Sequence, residues 1–556
     1  MTLVRFDRSA AGCAPSTRSL AHPPAGTSTN TARPAAVRLR AFCIAERRRI
    51  QICNSCGLEA NLSRYVCWPY STFKELYIPG PSPRLFLGSI PDFYRKVSHL
   101  AGGEPPGDQD IHIVDLESYD TFGDIWGLFL GRQPFLMIAD TEIIHKLFIE
   151  EDGKIFADVR ARRSHCPFSE SFFQAEEFDQ RRCHQLLSPA FGVEQLRQVF
   201  PLMVLNADEL VRNFGKFYRN GESVVVRELF GRYVRDALMM SMFGVDVDTH
   251  GIGEHPYTYY WDLILTAHRK YAVISPSLIF PCLKPLLRTL KFHLYWKEAI
   301  GYFTELVRHA QAQRKQATES TERAGILHHL LDRAEASADP GRKLSPGCTG
   351  ISEGELVAQM LRILVSAFNA ATFSLEFAAY LLARHPSVQH RLHMEAARTA
   401  GQKGLTYEGL AGMEYLGLVV KETLRLFPPR VWVQAACTRS TVACHVKIPR
   451  GIRVVVPIWV MHHSREYWHQ PCQFNPLRFT SAEEVARDPH CFLPFGLRPL
   501  ATVGSEVSVM LVKVALAAVV KAYTFARCAQ TPMCIEIDTL GSTRSKEPIS
   551  LQVELP

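Results

Sequence analysis

Glu422 and Arg425 stand three residues apart in Lys421-Glu-Thr-Leu-Arg-Leu-Phe-Pro-Pro429. On a helix that spacing puts a carboxylate and a guanidinium on one face, where they pair and hold a scaffold. A second point of interest falls inside a long apolar run, at Ser366-Ala-Phe-Asn-Ala-Ala371. Proton delivery needs an acid or a hydroxyl within hydrogen-bond reach. The Asn369 amide does not shuttle protons at ordinary pH, and Ala370 has no polar side-chain atom. The third point is Thr502, in Phe492-Leu-Pro-Phe-Gly-Leu-Arg-Pro-Leu-Ala-Thr-Val-Gly504. Its hydroxyl does not ionise near neutral pH. Cys53-Asn-Ser-Cys56 is an isolated pair, whereas a zinc site needs two such pairs or added histidines. These residue types name a charge pair, but no catalytic residue and no metal site.

Helices must position them. Ser352-Glu-Gly-Glu355 is a capping box that opens a long apolar helix through Ala358–Leu382, with Pro386 as its stop. Met413–Phe427 predicts a second helix, which carries Glu422 and Arg425. Val442–Trp459 alternates apolar and polar residues around Pro449-Arg-Gly451 and predicts a hairpin. Val503–Ala522 predicts an apolar helix, interrupted by Lys513 and packed in the core rather than in a bilayer. Gln316–Gly350 is polar and rich in Gly, Ser and Pro, as in an exposed connection. Tyr271–Phe292 mixes apolar residues with Lys284, Arg288 and Lys291, which fits an interfacial patch with a basic rim. A helix-loop-helix buried in the domain is the competing account.

Composition describes a large globular chain: 47% of its 556 residues are hydrophobic and 21% charged. Length alone would allow about three to four domains. A net charge of +8 over this length favours an anionic membrane face and does not indicate nucleic acid. The 15 cysteines have no framework spacing, as in a reducing compartment. Residues 1–70 stand apart as an N-terminal extension. Up to Arg49 the extension is rich in Ser, Ala, Pro and Arg and nearly free of acids. It contains no apolar run of the roughly 20 residues that a membrane anchor needs. A disordered tail, or an incorrectly predicted first exon, is the plainer reading; a transit peptide for organellar import is the other.

Several ordered segments resemble the cytochrome P450 family. Ile78-Pro-Gly-Pro-Ser-Pro is similar to its proline-rich hinge, and Glu422-Thr-Leu-Arg425 to its Glu-x-x-Arg helix. Phe474-Asn-Pro-Leu-Arg-Phe479 is similar to its Pro-Glu-Arg-Phe segment, with Leu477 in place of the Glu. The loop ending at Gly504 follows at the family's distance. The text around Gln180–Phe191, Met413–Pro429 and His462–Thr480 resembles the branch of 3A-type oxidases and thromboxane-A synthase. The resemblance implies a mainly α fold, a large helical domain with a small β-rich lobe, over residues 71–556. It also implies a haem cofactor, a hydrophobic small molecule or lipid as ligand, and an endoplasmic reticulum membrane surface. An electron-donating reductase is implied only for an active enzyme.

The resemblance also marks departures. In the haem loop Phe495, Gly496 and Gly504 match the pattern. Arg498 replaces a glycine, Leu500 an arginine that pairs a haem propionate, and Thr502 the cysteine that ligates iron. A thiolate pushes electron density onto haem iron and favours O–O cleavage; a threonine does not take that role. Gln180 and His184 stand where the family has a second propionate clamp, and neither carries a permanent charge. Val431-Trp-Val-Gln-Ala435 lacks a further arginine. Asn369 and Ala370 replace the acid and the alcohol of the oxygen-activation segment. Glu422, Arg425 and Arg478 keep the family's structural triad. The resulting expectation is a haem-free or catalytically impaired pseudoenzyme. The alternatives are a monooxygenase or peroxide isomerase acting on a lipid or hydrophobic molecule, and a decayed or mispredicted gene product.

Overall fold

The computed structural model describes residues 68–85, 87–89, 111–150, 187–245, 256–271, 297–316, 325–331, 353–400, 404–497, 504–539 and 542–556. Helix α1 (Ile111–Phe122) leads into the hairpin of β1 (Ile125–Leu130) and β2 (Gln133–Ile138). Then come α2 (Val193–Asn220), β3 (Val224–Val225), α3 (Val226–Phe243), α4 (Pro256–Tyr271) and α5 (Lys297–Gln316). The long α6 (Glu353–Arg384) is followed by α7 (Pro386–Ala400) and α8 (Glu414–Leu426). Strands β4 (Trp432–Ala436), β5 (Thr441–Ala443), β6 (Val446–Ile448) and β7 (Arg453–Pro457) precede the short α9 (Ile458–His463). Helix α10 (Ser505–Ala522) comes next, before β8 (Thr524–Arg527), β9 (Ile537–Asp538), β10 (Arg544–Ser545) and β11 (Ser550–Glu554). The fold is mainly α with a small β-rich region.

Helix α6 is the axis of the molecule. Its 32 residues span roughly 48 Å at the usual rise. Five consecutive positions, Ala378 to Leu382, are fully buried, so α6 is enclosed on every side. The stretch Gln359–Arg384 is long and apolar enough to cross a membrane, but 83% of its most apolar window is buried inside the protein. It is a core helix. It stops at His385 because Pro386 disfavours helical backbone in the residue before it. Helices α3 and α10 pack on α6, and α2 packs on both of them. A second core lies on the four-stranded sheet β1-β2-β7-β4, in which β7 is parallel to β2 and antiparallel to β4.

Two expectations need correction. Val442–Trp459 is not one hairpin. The hairpin is β5 with β6, and it turns at Cys444, which takes a positive φ of 51°. Pro449-Arg-Gly451 leads instead into β7, which joins the other sheet, and Ile458 onward is helix. Alternation gave the strands but not their partners. The second correction lies within Gln316–Gly350. Residues 326–331 are helical there, and Ile326, Leu327, Leu330 and Leu331 are buried in the main core. Their helical spacing outweighs the polar flanks. Ser352 and residues 272–296, which hold Lys284, Arg288 and Lys291, lie outside the described residues.

Candidate functional site

Arg425 is fully buried on α8, and each of its three guanidinium nitrogens donates. Nε donates to Glu422 Oε2 at 2.8 Å, and Nη2 donates to Glu422 Oε1 at 2.9 Å. Nη1 donates to the His462 carbonyl at 2.8 Å, and Nη2 also reaches the Gln473 carbonyl at 3.3 Å. Glu422 accepts the Asn475 amide at 2.9 Å and faces Arg478 Nε in an ion pair of 3.4 Å. Arg478 donates onward to the carbonyls of His469 and Gln470. The fork of each arginine matches carboxylate and carbonyl geometry, which an ammonium would not. The structure therefore brings Glu422, Arg425 and Arg478 together. Leu477, where the family has Glu, lies 44% exposed and outside this network.

The network reaches the loop through a residue that periodicity does not reveal. His462 is fully buried at the end of α9. Its Nδ1 donates to the Arg425 carbonyl at 3.1 Å, and its Nε2 accepts the Leu493 amide at 2.9 Å. That pair of partners fixes the neutral tautomer with the proton on Nδ1. Burial, then the neighbouring His463 and Arg425, hold its pKa well below the usual 6.5. Phe492 stacks on the same imidazole at 5.4 Å. The first arm of the loop is thus hung from α8.

Gly496 and Gly504 bracket the loop with positive φ angles of 91° and 85°, a region that glycine reaches without strain. A Cβ at Gly504 would lie 2.9 Å from Ile363 Cγ2, so the second arm presses on α6. Phe495 is half-buried on the first arm. Arg498, Leu500 and Thr502 lie outside the described residues, as do Gln180 and His184.

On α6, Ala370 shares the face of Ile363, one helical pair of turns further on. Asn369 precedes it and is turned away by about 100°. Both are buried, at 8% and 7% exposure for Asn369 and Ala370, yet they look in different directions.

Further polar groups cluster near β4 and α9 that sequence spacing does not announce. Arg430, just before β4, has its pKa pushed down to about 10 by burial and then by the positive charge of Arg362 on α6. Asp115 of α1 is buried, and burial pushes its carboxyl up to about 7 although the Trp432 indole donates to it. His112 and His463 flank Trp459, with ring centroids 4.6 Å and 4.4 Å away. Burial holds both imidazoles down to about 3, helped by Lys546 for His112 and by Arg425 for His463. The adjacent pair His462-His463 is the one sequence signal for this cluster.

The cysteine beside the loop is a thiol, not a thiolate. Cys491 precedes the loop and is buried between Trp468 and Phe479. Burial pushes its thiol up to about 12. Cys437 is buried and donates to backbone carbonyls of Arg439 and Ile448, while Cys444 lies on the β5–β6 turn beside Glu142. The sequence from Phe492 to Gly504 contains no cysteine. Among the described residues no group of three or more His, Cys, Asp or Glu side chains could hold a metal ion.

A helical domain whose buried Glu-x-x-Arg pair anchors a glycine-bracketed loop against a central helix defines a protein class. The chain belongs to the cytochrome P450 family, whose model matches residues 79–553. The family's cofactor is haem. Among similar proteins is cytochrome P450 3A29 of Sus scrofa, 30% identical over 499 residues, covering 88% of this chain and 93% of that protein. Cytochrome P450 3A5 of Homo sapiens is 29% identical over 490 residues, covering 87% and 92%. Cytochrome P450 3A28 of Bos taurus is 29% identical over 490 residues, covering 88% and 92%. The chain falls in the 3A-type branch.

Proposed function

We propose that this chain is a cytochrome P450-fold protein that has lost haem–thiolate chemistry and serves as a binding protein for a hydrophobic small molecule or lipid. The observation that carries the reading is Thr502, which stands at the position of the axial cysteine. Cys491, the nearest cysteine before the loop, is held as a neutral thiol and offers no substitute. Leu500, Gln180 and His184 leave the propionates without the permanent charges that pair them when buried. Arg498 adds a bulky side chain where the loop needs a permissive backbone near the porphyrin. Bound to a thiolate, haem would supply dioxygen activation; the residues at 498, 500 and 502 do not fit that group, so no catalytic step runs through it. What the fold keeps is the scaffold: Glu422, Arg425, Arg478 and, through His462, the start of the loop.

The second reading is an active haem oxidoreductase or peroxide isomerase, served by a reductase in the first case. The retained Phe495, Gly496 and Gly504 favour it. The haem content and the reduced, carbon monoxide-treated absorbance spectrum of purified protein decide between the two. Little haem and no thiolate-type Soret band support the binding protein. Stoichiometric haem with that band supports the enzyme. For either reading the site of action is a membrane surface of the endoplasmic reticulum, contacted through residues 271–292. The basic rim of Lys284, Arg288 and Lys291 supports this placement.

A further inference from the structure

A cleft of about 210 Å³ opens on the side of α6 turned away from the Gly504 loop, between α6, α3 and the segment that carries Ser542 and Arg544. Its walls are of two kinds. Phe368, Phe373 and Leu265 make an apolar side. Arg235, Asn369 and Thr372 make a polar side. Two of these polar groups are unpartnered. Thr372 is 1% exposed, and its Oγ1 has no hydrogen-bond partner. Arg235 Nε is also buried without a partner. Leaving a buried polar atom unpaired forfeits its hydrogen bond to water, so two in one cleft call for an occupant with acceptors.

The charge balance tells what kind of acceptor. The cleft also touches Arg227 and Arg544, but both are already engaged. Arg227 pairs with Glu376 at 2.9 Å, and Arg544 pairs with Asp538. Glu228 is exposed at the rim and screened by solvent. Arg235 is thus the cation that faces the interior without a carboxylate bound to it. Asn369 brings donor and acceptor groups to this wall but no charge. An acid at that position would place a carboxylate on the same wall and neutralise the field of Arg235.

We infer that this cleft binds a small monocarboxylate with a short apolar chain or a single ring. The carboxylate sits against Arg235, Thr372 and Asn369, and the apolar part lies on Phe368 and Phe373. A carboxylate accepts from a guanidinium, a hydroxyl and an amide at once, and a charge-assisted hydrogen bond is the strong kind. The site does not depend on haem, and it is separate from the face of α6 that meets the loop.

Calorimetric titration of the purified full-length chain tests this, with octanoate, octan-1-ol and inorganic phosphate as probes. Octanoate binds, and octan-1-ol and phosphate bind about tenfold or more weakly, since each lacks one half of the recognition. Arg235→Gln weakens octanoate by about tenfold and leaves octan-1-ol unchanged. Asn369→Asp weakens octanoate similarly by adding a like charge, and it tests the idea if the arginine variant fails to fold. Equal binding of octanoate and octan-1-ol overturns the inference. So does octanoate binding unchanged in Asn369→Asp, or no octanoate binding up to its solubility limit, which would mean a cleft filled by water alone.

Discussion

His462 accepts the Leu493 amide at 2.9 Å with one ring nitrogen and donates to the Arg425 carbonyl at 3.1 Å with the other. This one side chain couples the buried ion pair on α8 to the first arm of the loop. The domain's anchor and the loop's anchor are the same structure.

Arg425→Ala should therefore destabilise the domain far more than Thr502→Ala. Removing the arginine leaves Glu422 buried without its bidentate partner and frees the His462 carbonyl. The expected cost is about 3–5 kcal/mol, against a fraction of that for a loop threonine. Thermal denaturation of both variants checks this. Equal midpoints would contradict it.

Stability should fall in mild acid. In the unfolded chain the histidines take up protons near pH 6.5, while folded His112 and His463 resist to about 3 and His462 resists well below 6.5. A depressed folded pKa gives stability that is full above 6.5 and is lost as pH drops below it. Asp115 works in the opposite sense. Its folded carboxyl titrates near 7 against 3.8 unfolded, so its contribution is lost as pH rises through 7. Three histidines outweigh one aspartate between pH 6.5 and about 4. Urea midpoints measured at pH 5 and pH 7 should show the loss, and His463→Phe should shrink the difference. A wild-type midpoint that rises on acidification would contradict the assignment.

Gly504→Ala should be destabilising in two ways. The residue holds φ at 85°, which costs a non-glycine residue about 1–2 kcal/mol. The added Cβ also meets Ile363 Cγ2 at 2.9 Å. Shortening that neighbour with Ile363→Ala should recover the steric part only. A double-mutant cycle by chemical denaturation measures the coupling; strict additivity would show that the loop does not press on α6.

Binding to anionic liposomes should persist when residues 1–70 are deleted. It should weaken when Lys284, Arg288 and Lys291 are neutralised together, since each juxtamembrane cation contributes about 1 kcal/mol near such a surface. Co-sedimentation reads both. Unchanged binding of the triple variant would remove the patch from the account.

How much the sequence discloses depends on the range of each contact. Glu422 and Arg425 are neighbours on one helix, so local spacing reveals them. α6 and α10 announce themselves by apolar length, because a helix buried all round needs no polar face. The pairing of β7 with β2 is hidden, since alternation says nothing about partners far along the chain. The same holds for His112 against Trp459, Asp115 against Trp432, and Arg430 near Arg362. Each joins distant segments with no motif. Asn369 and Ala370 are adjacent in sequence and yet face apart, because one step along a helix turns about 100°. Thr502, Leu500, Arg498, Gln180 and His184 carry meaning only through the family pattern.

On the proposed function, the loop with Thr502 does not build a haem–thiolate site. The most direct measurement is the reduced, carbon monoxide-treated absorbance spectrum of purified protein, taken with its haem content. The wild type should contain little haem and show no thiolate-type Soret band. Thr502→Cys alone should recover partial binding. Adding Leu500→Arg and Arg498→Gly should recover more, because a ligand, a propionate partner and a permissive backbone are then rebuilt together. Stoichiometric haem in the wild type, with a thiolate-type band, would contradict the account and return the chain to the working oxidoreductases of its family.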